Sequence, residues 1–340
     1  MNDGVAGIGI RGLGWWAERH VAAIQKNPRA RIVSVCGRDK AKLAARSEAL
    51  GLSCRICADY QEMLDDPQVD AISICTPNHQ HASDTIEAAG VGKHLLIEKP
   101  AATSLEDLRR MRDAVRKAGI YTMVGFVLRW NLMFRTIKAL VDDGALGRVF
   151  MAQADFWQDV GSLDIPMNRW LGRSDEAGSS MLAGGCHAVD GLRWFVGSEV
   201  REVTAYSVNG RGLDYDYDPT MLCLLSFDNG AVGKVASTLE PRSPYLMRIE
   251  LLGTRGSLRN NELFSDKYPG QLDYATIPTA VPGGPELDDP LQDEIDHFIA
   301  CVTEGRESDL NLEDAVKTHE VCLAADISAR EGRPVRLPLI

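Results

Sequence analysis

A short glycine-rich turn near the start of the chain has residue types and spacing that could do chemistry. Gly12, Gly14 and Ala17 form a GxGxxA pattern directly after the apolar run 5–10 and directly before a helical pattern. In such a turn the first glycine allows a tight bend, and the second lets a diphosphate approach the amide groups of the helix. The attraction between the diphosphate and these amide groups is local, so even a protein with a net negative charge can bind a dinucleotide in this way. The alternative is an ordinary glycine-rich turn.

The end of the second predicted strand indicates which dinucleotide would bind. A carboxylate there bonds the ribose 2′-hydroxyl of NAD, whereas an arginine accommodates the 2′-phosphate of NADP. This sequence has Gly37 where the acid is expected, followed by Arg38. Because a guanidinium can bind a phosphate through two hydrogen bonds, we favour NADP over NAD. The alternative is that Asp39 serves as the ribose acid while Arg38 stacks on the adenine.

Lys99 and His187 are side chains that could exchange protons. Lys99 stands at the end of a predicted buried strand, before Pro100. A lysine near a crevice can stabilise a developing alkoxide or give up its proton. His187 is predicted to begin a helix, with Asp190 one turn further on the same face. The alternatives are a solvated lysine and a capping or core histidine.

These residues need a scaffold that brings them together. The first 125 residues alternate short apolar runs with helical patterns, which is typical of a parallel sheet covered by crossover helices. We predict strands near 5–10, 31–36, 53–57, 71–75, 94–97 and 121–126. From 126 to 340 we predict helices near 132–143, 187–196, 291–304 and 312–331, a loop at 278–290, and strands near 201–209, 220–227, 231–238 and 246–253. The fold class is therefore α/β, a dinucleotide-binding domain over 1–125 followed by an α+β domain with a mainly antiparallel sheet over 126–340.

Composition and charge exclude several classes of protein. The 340 residues carry 37 Lys and Arg against 48 Asp and Glu, a net charge of −11, with no basic run. We therefore expect neither nucleic acid nor a membrane surface as a partner. The chain has no stretch of about 20 apolar residues and no signal-peptide pattern, so we expect a cytoplasmic protein that begins near Met1. The CxxC of Cys54 and Cys57 lacks the partners of a zinc site, and we expect no metal.

Several motifs together resemble the glucose-fructose oxidoreductase, inositol dehydrogenase and MocA family (Gfo/Idh/MocA). They extend over nearly the whole chain in the family's order. They are GxGxxA at 12–17 with His20 after it, DY at 59–60, TPNHQH at 76–81, EKP at 98–100, GFVLRWN at 125–131, GGCHAVD at 184–190, LLGTRGSL at 251–258 and GRPVRLP at 332–338. Each motif is weak alone, but eight in the right order are specific.

The resemblance implies a Rossmann domain joined to a domain with a large open sheet, with the nicotinamide and a sugar or cyclitol between them. It implies that Lys99 reaches the reacting hydroxyl or carbonyl and that His187 is an acid/base or substrate-orienting group. It also implies a homodimer or homotetramer. The residues expected to bind the cofactor are Gly12, Gly14, Trp15, Trp16, Arg38, Thr76, Pro77, His81, Glu98 and Lys99.

We also expect direct contacts with the carbohydrate. Aromatic rings stack on the apolar face of a pyranose, while charged and amide side chains bond its hydroxyls. The residues expected to contact substrate are Lys99, Arg129, Trp130, Trp157, His187 and Asp190. The alternative for the tryptophans is that they fill space between sheet and helices.

One position departs from the family pattern. The family commonly has an aspartate four residues before the histidine, and this chain has Ala183 there. Either Lys99 and His187 handle the proton unaided, or the reaction differs from simple alcohol oxidation. The leading hypothesis is an NAD(P)-dependent oxidoreductase acting on CH–OH groups of a sugar, sugar derivative or cyclitol. The alternatives are an enzyme that holds its NAD tightly and cleaves or epimerises a glycoside through transient oxidation, and a non-catalytic sugar-sensing protein of the same fold.

Overall fold

A computed structural model describes residues 4–160, 170–279 and 290–340. Within them the chain forms two compact units. The first contains the chain up to Phe126 together with Leu291–Val316, and the second contains Val127–Pro290 together with Lys317–Ile340.

The first unit is built on a parallel sheet, whose strands among the described residues are β1 Ala6–Arg11, β2 Ala30–Cys36, β3 Arg55–Cys57, β4 Ala71–Ile74, β5 His94–Ile97 and β6 Thr122–Val124. The order β3-β2-β1-β4-β5-β6 is that of a doubly wound dinucleotide-binding fold. The helices between the strands are α1 Trp15–Lys26, α2 Lys40–Ala49, α3 Tyr60–Leu64, α4 His81–Gly90 and α5 Leu105–Ala118. The predicted fold class of this part is confirmed.

Burial explains why the strand sequences are continuous apolar runs. Ile72 and Ile74 of β4 and Leu95 of β5 have no exposed surface, as expected when helices cover both faces of a parallel sheet. Helix ends follow local chemistry as well. The Ser104 side chain caps α5 by accepting a hydrogen bond from a backbone N–H, and Gly119, with φ 65°, ends the helix in the left-handed region.

The last part of the first unit comes from far along the sequence. α9, Pro290–Glu304, belongs with α1, because Asp296 accepts a hydrogen bond of 2.6 Å from Asn27 at the end of α1. The sequence prediction assigned 291–316 to the second domain, and the structure corrects that boundary. Helical periodicity predicts the helix, but it does not indicate which sheet the apolar face packs against.

The second unit contains a mainly antiparallel sheet with the strand order β14-β13-β12-β11-β7-β10-β9-β8-β15. Its described strands are β7 Val149–Trp157, β8 Val200–Val208, β9 Thr220–Phe227, β10 Val232–Thr238, β11 Leu246–Gly253, β12 Gly256–Arg259, β13 Glu262–Ser265, β14 Ala275–Thr276 and β15 Val335–Arg336. Only the central pair, β7 and β10, is parallel among these neighbours. The sheet confirms the predicted class of this domain.

The helices of the second unit are α6 Leu132–Asp142, α7 Ser174–Ala177, α8 Cys186–Val196 and, from Lys317 onward, α10 Leu312–Glu331. A π-helical turn over Met181–Gly185 runs directly into α8. His187 is the second residue of α8, within one residue of the predicted helix start, and the helical backbone continues before it into the π-helical turn. The π-helical turn packs closely on β7 of the sheet, since a Cβ on Gly184 would lie 2.2 Å from the Phe156 ring.

Most of the predicted loop 278–290 lies outside the described residues. None of the helices that the structure describes is long and apolar enough to cross a membrane.

A buried ion pair joins β1 to α4. The Arg11 guanidinium donates to one oxygen of Asp84 at 3.0 Å, and Thr76 Oγ1 donates to the other at 2.8 Å. The same guanidinium lies 4.4 Å from the ring centre of Tyr60. Because Asp84 is only 2% exposed, these contacts fix the end of β1 against the loop that follows β4.

We expect Asp84→Ala to lower the free energy of unfolding by about 3–5 kcal/mol, because it leaves the Arg11 charge buried without its partner. Urea denaturation followed by circular dichroism measures this. Asp113→Ala, at an exposed acid on α5, is the control and should change the same quantity by less than about 0.5 kcal/mol. Equal effects of the two substitutions would contradict the assigned role of the ion pair.

Candidate active site

The turn at Gly12 has no room for a side chain. Its φ is +86°, and a Cβ there would lie 2.8 Å from the Cys75 carbonyl oxygen. Gly14 is the N-cap of α1, no side chain caps it, and a Cβ on Gly14 would enter open space. The first amides of α1 are therefore left for an anionic group. These residues fit the diphosphate of a dinucleotide, and Trp15, 48% exposed, follows at the first helical position.

A cavity of about 260 Å³ lies at the carboxyl ends of β1, β2 and β4. In doubly wound folds ligands bind at this edge of the sheet. Its lining includes five residues predicted to bind the cofactor, namely Gly12, Gly14, Arg38, Thr76 and Pro77. The structure thus brings these five together within one unit.

The side of this cavity near β2 is basic. Arg38 and Lys42 are both exposed and line the cavity, and neither has an ion pair with another described residue. Asp39 is the N-cap of α2 and accepts a hydrogen bond of 3.0 Å from the Lys42 N–H. Its carboxylate is therefore engaged by the helix, which disfavours the alternative in which it binds the ribose. Sequence reasoning missed Lys42, which lies in the first turn of α2.

His81 links two loops at the same edge of the sheet. It is buried, with Nδ1 2.7 Å from the Pro100 carbonyl oxygen and Nε2 2.8 Å from that of Thr76. Burial lowers the pKa of His81, against the opposing effect of these two acceptors. A neutral imidazole can donate to only one of them and a protonated ring to both. With both nitrogens engaged, His81 positions the two loops.

Glu98 is buried and holds three donors. Its Oε1 accepts from the Trp16 indole N–H at 2.8 Å and lies 3.0 Å from His20 Nε2, while Oε2 accepts from the Lys99 backbone N–H at 3.1 Å. Burial opposes its charge, but the hydrogen bond and charge of His20 hold the pKa of Glu98 low. Burial also opposes a charge on His20, but Cys75 and Glu98 raise the pKa of that ring well above its usual value. Glu98 was predicted to bind the cofactor, and the structure places it as an internal acceptor.

A second carboxyl group is buried in the same unit. Glu294 on α9 has no exposed surface, and neither of its oxygens has a hydrogen-bond partner among the described residues. Burial raises the pKa of Glu294 well above its usual value, and the charge of Glu98 adds to the effect. Burial therefore favours the protonated form of this group. Sequence reasoning missed Glu294, although its spacing of three from Leu291 and four from Phe298 places it on the apolar face of the helix.

In the second unit the structure pairs two predicted substrate residues with each other. Arg129 donates from Nε and Nη2 to the two oxygens of Asp190, at 2.7 Å each, and its guanidinium lies 5.4 Å from the ring centre of Trp194. Thr318 Oγ1 lies 3.3 Å from Asp190 Oδ1. Asp190, 2% exposed, therefore binds Arg129 through both of its carboxylate oxygens.

His187 is buried and packs on an aromatic residue that sequence reasoning missed. Its ring centre lies 6.1 Å from that of Phe156, with the planes 27° apart. Successive side chains of a strand point to opposite faces, so Trp157, next to Phe156 on β7, faces away. The structure does not bring Trp157 to His187. Trp130 ends a 3-10 turn and is half-buried, and its contact with substrate stays a prediction.

Ala183 lies in the π-helical turn, and a different acid is anchored just before that turn. The Ser179 hydroxyl accepts from the Leu182 N–H at 3.3 Å and also bonds the Asp326 carboxyl group. Burial raises the pKa of Asp326 to about 7. π-helical turns are frequent at functional sites. Sequence reasoning missed Asp326, which is half-buried in α10.

Comparison with known proteins agrees with this geometry. A family model described as the oxidoreductase family with an NAD-binding Rossmann fold (Gfo/Idh/MocA) matches residues 6–126, and the model of the family's C-terminal domain matches 134–259. scyllo-Inositol 2-dehydrogenase (NAD(+)) of Bacillus subtilis is 28% identical over 97% of this chain and 95% of its own. D-Xylose 1-dehydrogenase (NADP(+)) 2 of Haloferax volcanii is 28% identical over 98% of each chain.

Solved structures agree as well. Levoglucosan dehydrogenase in complex with NADH has a TM-score of 0.90 and 25% identity, and the match covers 98% of this chain and 100% of that one. Both sequence and structure thus match over nearly the full length. The chain belongs to the Gfo/Idh/MocA family of oxidoreductases.

Proposed function

We propose that the protein is an NAD(P)-dependent oxidoreductase that transfers hydride between nicotinamide and a hydroxyl or carbonyl carbon of a sugar, sugar derivative or cyclitol. The observation that carries the proposal is the Gly12 turn, whose uncapped helix start lies in the same unit as Lys99 at the end of β5. The substrate class is supported by the relatives, which include scyllo-inositol, D-xylose and levoglucosan dehydrogenases.

We assign charge stabilisation, proton transfer and positioning to different residues of the chain. A bound nicotinamide supplies or accepts the hydride. The Lys99 ammonium stabilises the negative charge that develops on the reacting oxygen, and His187 gives or takes its proton. His81 and Glu98 hold the loops at the carboxyl edge, because each bonds backbone groups there. Arg129, paired with Asp190, supplies a fixed cation in the second unit.

A second candidate is an enzyme that retains its NAD and cleaves or epimerises a glycoside through transient oxidation. The observation that favours it is Ala183 in place of the family's aspartate. The two reactions differ in stoichiometry. Net NADPH or NADH formation with aldoses, ketoses or cyclitols supports the dehydrogenase, whereas cleavage of an aryl glycoside without added cofactor supports the second candidate.

We expect Lys99→Ala to lower kcat by about 10²–10⁴-fold, because the reacting oxygen loses its cation and proton partner. Steady-state oxidation of a panel of sugars and cyclitols, followed at 340 nm, measures this. Lys117→Ala is the matched control, since that lysine is exposed on α5, and it should leave kcat unchanged. Turnover of Lys99→Ala at the parent rate would rule out the proposed role.

We propose NADP as the preferred cofactor, with Arg38 and Lys42 binding the 2′-phosphate. The support is their exposed position on the cavity and the engagement of Asp39 in capping α2. We expect Arg38→Ala or Lys42→Ala to raise KM for NADPH about 10–100-fold, as loss of a hydrogen bond to a charged group implies. KM for NADH should change little.

Lys40→Ala is the control for this prediction, because Lys40 lies on α2 but does not line the cavity. It should leave both Michaelis constants within about twofold, an energy difference below 0.5 kcal/mol. If Arg38→Ala raised KM equally for both dinucleotides, the proposed preference for NADP would be wrong.

We propose that the open face of the second unit's sheet packs against a second copy of this chain. Tyr206, Leu222, Leu224 and Val232 are between 46% and 72% exposed. Their strand pairing places them on one face, with Leu222 opposite Tyr206 and Val232 opposite Ser226. An apolar patch of this kind in the middle of a sheet is typical of a protein interface. Homo-oligomers with closed symmetry are the common outcome.

We expect Leu224→Lys to convert the oligomer into monomers, because it places a charge in the centre of the interface. Size-exclusion chromatography with light scattering measures the mass. Leu272→Lys is the control, since Leu272 is 97% exposed and lies outside the strands of the sheet. A monomeric parent protein would refute the proposal.

A further inference from the structure

Trp16 makes a hydrogen bond that the glycine turn does not require. The turn needs small residues at positions 12 and 14 and amides at the start of α1, and none of these depends on the side chain at position 16. The Trp16 indole N–H nevertheless donates to Glu98 Oε1 at 2.8 Å, across 82 residues of sequence. Sequence reasoning predicted Trp16 as a cofactor contact, and the hydrogen bond gives its indole a partner inside the protein.

The bond links the helix start to the proposed reacting lysine. Trp16 and His20 are one turn apart on α1, and both reach Oε1 of the same carboxylate. The other oxygen of Glu98 accepts from the backbone N–H of Lys99 at 3.1 Å. One carboxylate therefore connects the helix expected to receive the diphosphate with the residue expected to contact the reacting oxygen.

The surroundings leave the Glu98 carboxylate little freedom. Glu98 is 8% exposed, and a Cβ on Gly125 would lie 3.0 Å from Oε1. Burial raises the pKa of Glu294 in the same unit, and neither of its carboxyl oxygens bonds a described group. Because Glu98 is largely buried, the loss of one donor leaves part of its charge unsatisfied, and the carboxylate reorients toward its remaining donors.

We propose that Trp16 is a positioning residue, whose indole N–H fixes the Glu98 carboxylate and thereby the backbone of Lys99. The inference rests on the proposed function, since it takes Lys99 as the reacting cation. This role predicts different effects on the turnover rate and on the affinity for the dinucleotide. Loss of the N–H lowers turnover because Lys99 is displaced, while the glycine turn and the helix amides bind the dinucleotide as before.

The test is Trp16→Phe, which keeps an aromatic ring and removes the donor. We expect kcat to fall about tenfold or more, the effect of losing one hydrogen bond to a charged acceptor. The dissociation constant of NADPH, from quenching of protein fluorescence, and KM for the sugar should stay within about twofold of the parent. Glu98→Gln and the double variant complete a cycle, in which the two effects should not add, because Trp16 acts through Glu98.

Arg19→Met is the matched control. The Arg19 guanidinium lies 4.9 Å from the Trp16 ring centre, so the substitution disturbs the packing of the same indole without removing its N–H. It should leave kcat unchanged. If Trp16→Phe does not fold by circular dichroism, the benzothiophene analogue of tryptophan placed at position 16 removes only the N–H and serves in its place.

The outcomes are distinct. An unchanged kcat, additive effects in the cycle, or weaker NADPH binding with normal kcat would overturn the inference, and the last of these would make Trp16 a cofactor contact. If the parent chain neither binds a dinucleotide nor turns over any sugar, the proposed function fails, and the inference fails with it. If the parent is active and Trp16→Phe equals it, only the inference is wrong.

Discussion

The first unit depends on the close approach of the Gly12 backbone to the end of β4. The Gly12 N–H donates to the Cys36 carbonyl at 2.8 Å, and the Cys75 N–H donates to the Arg11 carbonyl at 2.8 Å, so three strand ends are tied at one point. A methyl group at position 12 would overlap the Cys75 carbonyl. Every loop that forms the cavity starts from these tied ends, and the position of the cavity follows from them.

Three ion pairs with at least one buried partner join parts of the chain that are distant in sequence. Arg11 with Asp84 and His20 with Glu98 do so in the first unit, and Arg129 with Asp190 in the second. Removing one partner of such a pair leaves an uncompensated charge, which makes the pair specific even where it adds little stability. The first two pairs include direct neighbours of the motif residues, since Asp84 bonds Thr76 and Glu98 bonds the Lys99 backbone.

Sequence reasoning predicted what depends on local pattern. Apolar runs and helical periodicity indicated the strands and helices, and motif order indicated the family, because these signals lie within short stretches. Contacts between stretches that are distant in sequence were not predicted. The packing of 291–316 with the first unit, the exposure of Lys42 on the cavity and the burial of Glu294 depend on which surfaces meet.

In the second unit, too, contacts of single residues with distant parts of the chain could not be predicted from local sequence pattern. Phe156 and Trp157 are adjacent, and alternation places them on opposite faces of β7 without indicating which face the helices cover. Asp190 has the right spacing to face His187, but Arg129, 61 residues away, takes both of its oxygens. Residue spacing predicts which side chains share one face of a helix, but which partner such a side chain bonds depends on residues from elsewhere in the chain.

Asp326 links the second unit to the proton concentration of its surroundings. With a folded pKa of about 7, it is partly protonated in neutral solution, whereas in an unfolded chain, with a pKa of about 3.9, it has lost its proton. Unfolding at neutral pH therefore releases protons from this residue, and the free-energy cost of folding with this carboxyl group grows as pH rises from about 4 to about 7. The heat absorbed on melting would then vary with the ionisation enthalpy of the buffer that takes up that proton.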